Sequence, residues 1–181
     1  MTVSALVALF VLAVLLHNAE EALWLPRWSA RAGRWYRPVG AAPFRFAAAA
    51  LSALVIAVAV AGLVWGQHSL PGYLMFGLVF AMSANAVFPH LAATLVMRRY
   101  MPGTATGALL NLPLGCLLLQ RAVAQGWVSP NTLAWSAPTV AVGLVLAIPV
   151  LFTLGRHLFP EADRSGAQRA GASQTLARGE H

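Results

Sequence analysis

Residues 3–25 read VSALVALFVLAVLLHNAEEALWL, a run with no proline, no glycine and no basic residue other than His17. A helix needs about 20 mainly apolar residues to cross a hydrocarbon layer roughly 30 Å thick. The run meets that requirement, yet carries an imidazole and two carboxylates, Glu20 and Glu21. Across positions 1–160 these are the only two acidic side chains; the other three, Glu161, Asp163 and Glu180, fall in the last 21 residues.

Four more apolar segments follow: Phe44 to Gly66, Gly72 to Met97, Thr104 to Gln125 and Leu133 to Phe159. With Val3 to Leu25 they predict an all-α, polytopic membrane bundle of about five transmembrane helices over residues 1–160. Residues 161–181, rich in Gly, Ala, Ser, Gln and Arg, read as a disordered polar tail. Arginines gather in alternate connections. The first holds Arg27, Arg31, Arg34, Arg37 and Arg45, the third Arg98 and Arg99, and the C-terminal region Arg156, Arg164, Arg169 and Arg178. The second and fourth connections have none, although Arg121 lies just inside the fourth helix. By the positive-inside rule the N-terminus is outside and the C-terminus cytoplasmic. Trp24, Trp28, Trp35 and Tyr36 beside the arginines form an expected interfacial belt. The first segment lacks a basic n-region and leads into His17 and two glutamates instead of small residues, so a cleaved signal peptide is not expected.

Composition agrees. Of 181 residues 59% are hydrophobic and 9% charged, against roughly 25% charged in soluble domains, which argues against a soluble enzyme. The net charge of +7 comes from twelve arginines spread between apolar segments, not striped on one face, so nucleic acid is not the expected partner. The lipid bilayer is, and the expected location is a bacterial inner membrane. One cysteine, Cys116, is too few for an intramolecular disulfide, a zinc ribbon or an iron–sulfur site.

At about 100° per residue, Glu20 at i+3 and Glu21 at i+4 share a side of the helix with His17, a possible tridentate cluster. Ionisable groups at membrane depth usually face the bundle interior and mark a functional path; the bland alternative is that both glutamates reach the interface and pair with Arg27 or Arg31. With a rise of about 1.5 Å per residue, Glu21 lies roughly 6 Å and His17 roughly 12 Å below the cytoplasmic boundary. By the same rise His90 lies roughly 10 Å deep and Asn85 roughly 18 Å on the third helix, with Thr106 and Asn111 at roughly 5 and 12 Å on the fourth. Polar groups from three helices therefore share one layer. Pro89 should kink the third helix between Asn85 and His90. The stretch Tyr100-Met101-Pro102-Gly103-Thr104-Ala105-Thr106 reads as a tight turn and a helix start, with Thr104 as a cap and its amides directed at the glutamate layer. The pairs Gly103/Gly107 and Gly62/Gly66 have the spacing that lets helices pack closely.

His17-Asn18-Ala19-Glu20-Glu21, Asn85 to His90 as an NxxxxH pattern, and Tyr100 to Thr106 as a YxPGxxT pattern together resemble the HXXEE family of small integral membrane proteins. The resemblance runs from about Leu6 to Leu158 and implies a fold grouping and candidate residues, but no reaction.

Three functions fit these residues. The first is a metal site for zinc, iron or manganese made by His17, Glu20, Glu21 and His90, with Glu20 and Glu21 also as catalytic candidates. Asn85, Tyr100, Gly103 and Thr106 would support it, with hydrolase-like action on a lipid or lipid-soluble substrate. The second is metal-free acid–base isomerisation of a lipophilic substrate by the His and Glu groups. The third is a small proton- or ion-coupled transporter, disfavoured by the lack of an internal inverted repeat. Haem ligation by His17 and His90 is poorly matched to two neighbouring carboxylates.

Overall fold

A computed structural model describes residues 1–33 and 36–160. Arg34 and Trp35 of the expected belt, and the tail from 161 to 181, lie outside the described residues. Five helices are long and apolar enough to cross a membrane: α1 (Val3–Ser29), α2 (Ala41–Trp65), α3 (Leu70–Met97), α4 (Thr104–Ala124) and α5 (Pro130–Leu158). No strand occurs among the described residues. The five match the expected segments, with α1 continuing one turn further through Pro26 and α5 starting three residues earlier. Side-chain oxygens set three of the starts. Thr2 Oγ1 accepts from the Ala5 amide, Ser69 Oγ from Gly72 and Ser129 Oγ from Thr132, satisfying amides that the first helical turn leaves without partners.

Helices α1, α2, α3 and α4 form a ring in which each touches the next, and α5 packs outside against α2 and α3. The core has two parts. Toward the start of α1, Leu6, Phe10 and Val14 pack with Val55, Met75, Phe76 and Leu118. Toward its end Leu25 packs with Phe44, Ala48 and Met101. Lipid tails are as apolar as these side chains, so inside a bilayer close packing and polar bonds, more than water exclusion, hold helices together. Glycines make the approach possible where the sequence offers them. A Cβ on Gly62 would lie 2.7 Å from Met75, and one on Gly115 1.8 Å from Ser83 Oγ. Gly66, expected to share in such packing, instead ends α2 with a φ of 71° and has open space around it.

Two helices are irregular at the same level. In α3 the expected kink is present: Phe88, preceding Pro89, has extended backbone angles of −130° and 120°, and residues Ala86–Leu91 form wide turns. The residue before a proline is driven out of helical geometry by the ring, which accounts for the position of the break. In α4, Gly107–Asn111 also form a wide turn, one not expected from the sequence. Pro113 was the available signal. It has no N–H to give and its ring displaces the carbonyl four residues back, that of Leu109, so the turn before it widens. The two irregular stretches touch each other, and that of α4 packs against α1.

Candidate metal centre

Adjacent residues on a helix point about 100° apart, so Glu20 and Glu21 meet different neighbours. Glu20 faces the turn between α3 and α4. Its Oε1 accepts from the Gly103 amide at 2.8 Å and from the Tyr100 hydroxyl. Its Oε2 accepts from the Thr106 amide at 3.2 Å and the Thr106 hydroxyl at 2.6 Å. A carboxylate offers about four acceptor positions, so Glu20 is saturated. Gly103 and Thr106 stand at the start of α4, and Glu20 therefore caps that helix from across the bundle. Thr104, the capping candidate by sequence, gives its hydroxyl to the His90 carbonyl at 3.2 Å and bonds Thr94 at 2.7 Å. Burial and the bond to Glu20 hold the Tyr100 phenol above its ordinary pKa, which keeps it a donor.

Glu21 faces the histidines. One of its oxygens lies 3.2 Å from His90 Nε2 and the other 3.9 Å from His17 Nε2. Both imidazoles are buried and meet edge to face, with ring centres 4.8 Å apart. Their remaining nitrogens have partners. His90 Nδ1 lies 3.0 Å from the Pro102 carbonyl, which can only accept, so Nδ1 carries the proton. His17 Nδ1 lies 3.1 Å from Thr106 Oγ1, whose own proton goes to Glu20, so this Nδ1 donates as well. Both Nε2 atoms thus present a lone pair on the side of Glu21; that of His90 has no hydrogen-bond donor among the described residues, while that of His17 accepts from Asn85. One ligand atom each from His17, Glu21 and His90 lies within 4.8 Å of the others. Asn85 stands at the edge of this set, its Nδ2 3.4 Å from His17 Nε2.

Gly103 makes room for the arrangement. Its φ is 92°, a conformation that favours glycine, and a Cβ there would lie 2.7 Å from His90 Cε1 and 2.9 Å from His17 Cε1. Gly107 likewise sits against Ala86 and His17, so the pair read as helix packing serves the histidines too. Among the described residues no arginine reaches either carboxylate within ion-pair distance. All eight candidate residues come together, in two groups: Glu20 with Tyr100, Gly103 and Thr106, and Glu21 with His17, His90 and Asn85. Asn111 is fully buried in the same layer but its amide bonds neither group. Two contributors were not anticipated: the Pro102 carbonyl, because backbone acceptors carry no sequence signal, and Asn18, whose 2.9 Å bond to Ser52 ties α1 to α2.

The histidine and Glu21 side opens into a cavity of about 800 Å³, lined otherwise by apolar side chains of α2, α3 and α5, with Tyr36 and Arg37 at the arginine-rich end. Its α5 wall runs from Ala137 to Phe152, about 22 Å at the helical rise.

Residues 8–118 match a family described as proteins of unknown function with an HXXEE motif. The chain belongs to the HXXEE family. The uncharacterised protein YrkK of Bacillus subtilis (strain 168) is 36% identical over 154 residues, covering 85% of this chain and 98% of that protein. No solved structure matches this HXXEE protein. Within its motif the letters have separate duties: the first and last, His17 and Glu21, converge on His90, while Glu20 between them holds the Tyr100–Thr106 turn.

Proposed function

We propose that this HXXEE protein is a membrane-embedded, metal-dependent enzyme with hydrolase-like chemistry on a long-chain lipid or lipid-soluble substrate. His17, Glu21 and His90 would hold the metal. The observation that carries the reading is the pair of occupied Nδ1 atoms. Metal-binding histidines almost always give their second N–H to a carbonyl, carboxylate or similar acceptor, which fixes the tautomer and turns the other nitrogen to the metal. The bare Nε2 of His90 stands 3.2 Å from a Glu21 oxygen, and two lone pairs at that distance repel unless something positive lies between them. Two ligand atoms on one tetrahedral zinc with bonds of about 2.1 Å stand roughly 3.4 Å apart, close to this separation. Two histidines and one carboxylate suit zinc, iron or manganese and leave positions open. Such a metal supplies an activated water or polarises a carbonyl or phosphoryl oxygen.

The residues around the trio have their own parts. Glu20 keeps the α4 turn in place and, through Thr106, the His17 ring; it is not proposed as a ligand, because its acceptor positions are filled. The cavity supports a substrate with a long apolar chain. Its length of about 22 Å exceeds one leaflet, about half of a 30 Å core. Arg37 at the mouth suits an anionic or strongly polar head. With the arginine-rich connections in the cytoplasm, the site would open near the inner leaflet.

A long-chain ester or phosphoester supplied in mixed micelles to the purified protein tests this. Turnover should vanish with a chelator and return with one of zinc, iron(II) or manganese. Turnover undiminished after metal removal would instead favour the metal-free acid–base reading. One observation supports that alternative: a proton shared between His90 Nε2 and Glu21 would also satisfy the 3.2 Å contact.

A further inference from the structure

On the opposite side of α1 lies a second concavity, of about 880 Å³, between that helix and the turn from α3 to α4. Its α1 wall is a single stripe from Leu16 through Leu23 and Arg27 to Trp28, about 18 Å long by the helical rise, with Arg31 just beyond the helix end. Three arginines from two elements line the concavity, Arg27 and Arg31 from α1 and its extension and Arg99 from the turn. The Arg99 side chain is anchored there by a bond from Nη1 to the Arg31 carbonyl at 3.1 Å. Trp24 and Trp28 stand beside them, and below them the groove is apolar and open outward: Leu16 is 48% and Leu23 55% exposed.

Among the described residues the charge in this groove has no counter-charge within ion-pair distance. Among the described residues none of the three arginines is paired with a carboxylate, and the one acidic group on the wall, Glu20, is already held by four donors from Tyr100, Gly103 and Thr106. A cluster of arginines at the head-group level, flanked by tryptophans and continued by an exposed apolar channel, matches an anionic lipid in both halves of its structure. The head group meets guanidiniums, which bind phosphate in a forked geometry, and the acyl chain follows Leu23 and Leu16 into the bilayer. A soluble phosphate would use only the arginines and leave the channel unexplained.

We propose that this groove binds an anionic phospholipid, with its phosphate on Arg27, Arg31 and Arg99. The site is separate from the histidine and Glu21 cavity and does not depend on the metal reading. The lipid lies against the outer face of the turn that Glu20 caps, so its binding should stiffen that turn.

Full-length protein in a neutral detergent, delipidated and titrated with phosphatidylglycerol, with phosphatidylcholine of the same chains, or with inorganic phosphate, tests the proposal through Tm and binding isotherms. Phosphatidylglycerol should raise Tm saturably and the other two should not. The triple variant Arg27→Gln, Arg31→Gln, Arg99→Gln should bind on the order of a hundredfold more weakly, given about three cationic contacts. Because Arg99 also anchors the turn, Leu23→Trp serves as a second variant: it fills the channel while keeping every arginine and adding no charge, and should also abolish the shift. Equal shifts with both lipids, full reproduction by inorganic phosphate, or undiminished binding in both variants would overturn it.

Discussion

At Thr106 one hydroxyl joins the two halves of the cluster, accepting from His17 Nδ1 at 3.1 Å and donating to Glu20 at 2.6 Å. Partners of metal-binding histidines typically contribute 10- to 100-fold to metal affinity. Thr106→Val should therefore weaken metal binding by about that factor, while Thr106→Ser should retain it, as isothermal titration with zinc would measure. The two glutamates should separate cleanly. Glu20→Gln loses charge-assisted bonds worth roughly 1.5–3 kcal/mol each before compensation, and should lower Tm by several degrees with metal still bound. Glu21→Gln should leave Tm of the metal-free protein nearly unchanged and abolish binding. A Glu20 variant that loses metal without losing stability would reverse these roles. Gly103→Ala meets both histidines and an unfavourable φ, and should cost stability and metal together. Spacing showed which residue types share the layer, but could not show which glutamate faces which neighbour. That division depends on where α4 begins, and Glu20 itself, from another helix, caps that beginning.

The elements were largely legible because a membrane leaves few options: five apolar runs of adequate length each became one helix, and Pro89 marked the break in α3. What the sequence showed less clearly was the wide turn in α4, whose cause is Pro113, a residue lost among apolar neighbours. Helix ends shifted for a related reason. The apolar run ends at Leu25, yet α1 passes through Pro26 to Ser29, where Ser29 Oγ donates to the Pro26 carbonyl at 2.9 Å and accepts from the Val39 amide at 3.1 Å. Contacts between elements also followed small residues that spacing alone could not rank. Gly115 lets α4 approach Ser83 on α3 and Phe10 on α1, far from the histidines along the bundle. Gly115→Leu should destabilise the protein by about 1–3 kcal/mol through overpacking, seen as a fall in Tm in detergent. Metal stoichiometry at low temperature should be unchanged.

For the molecule as a whole, the ring of four helices places the trio between two apolar cores and beside a long cavity, with α5 as its outer wall. Ala141 lines that cavity on α5, a helix that supplies none of the three metal ligands. Ala141→Trp should reduce kcat/KM for long-chain substrates by about 5- to 30-fold, the factor that a kilocalorie or two of lost fit represents, and should spare short-chain ones. A uniform loss across chain lengths would mean the cavity does not hold the chain. The proposed reaction rests on the trio binding a metal. The most direct measurement is elemental analysis of detergent-purified full-length protein, alongside the His17→Ala, His90→Ala double variant. About one zinc, iron or manganese per wild-type chain and none in the variant is the expected result for a two-histidine, one-carboxylate site; wild-type protein that remains metal-free in the presence of all three ions would contradict it.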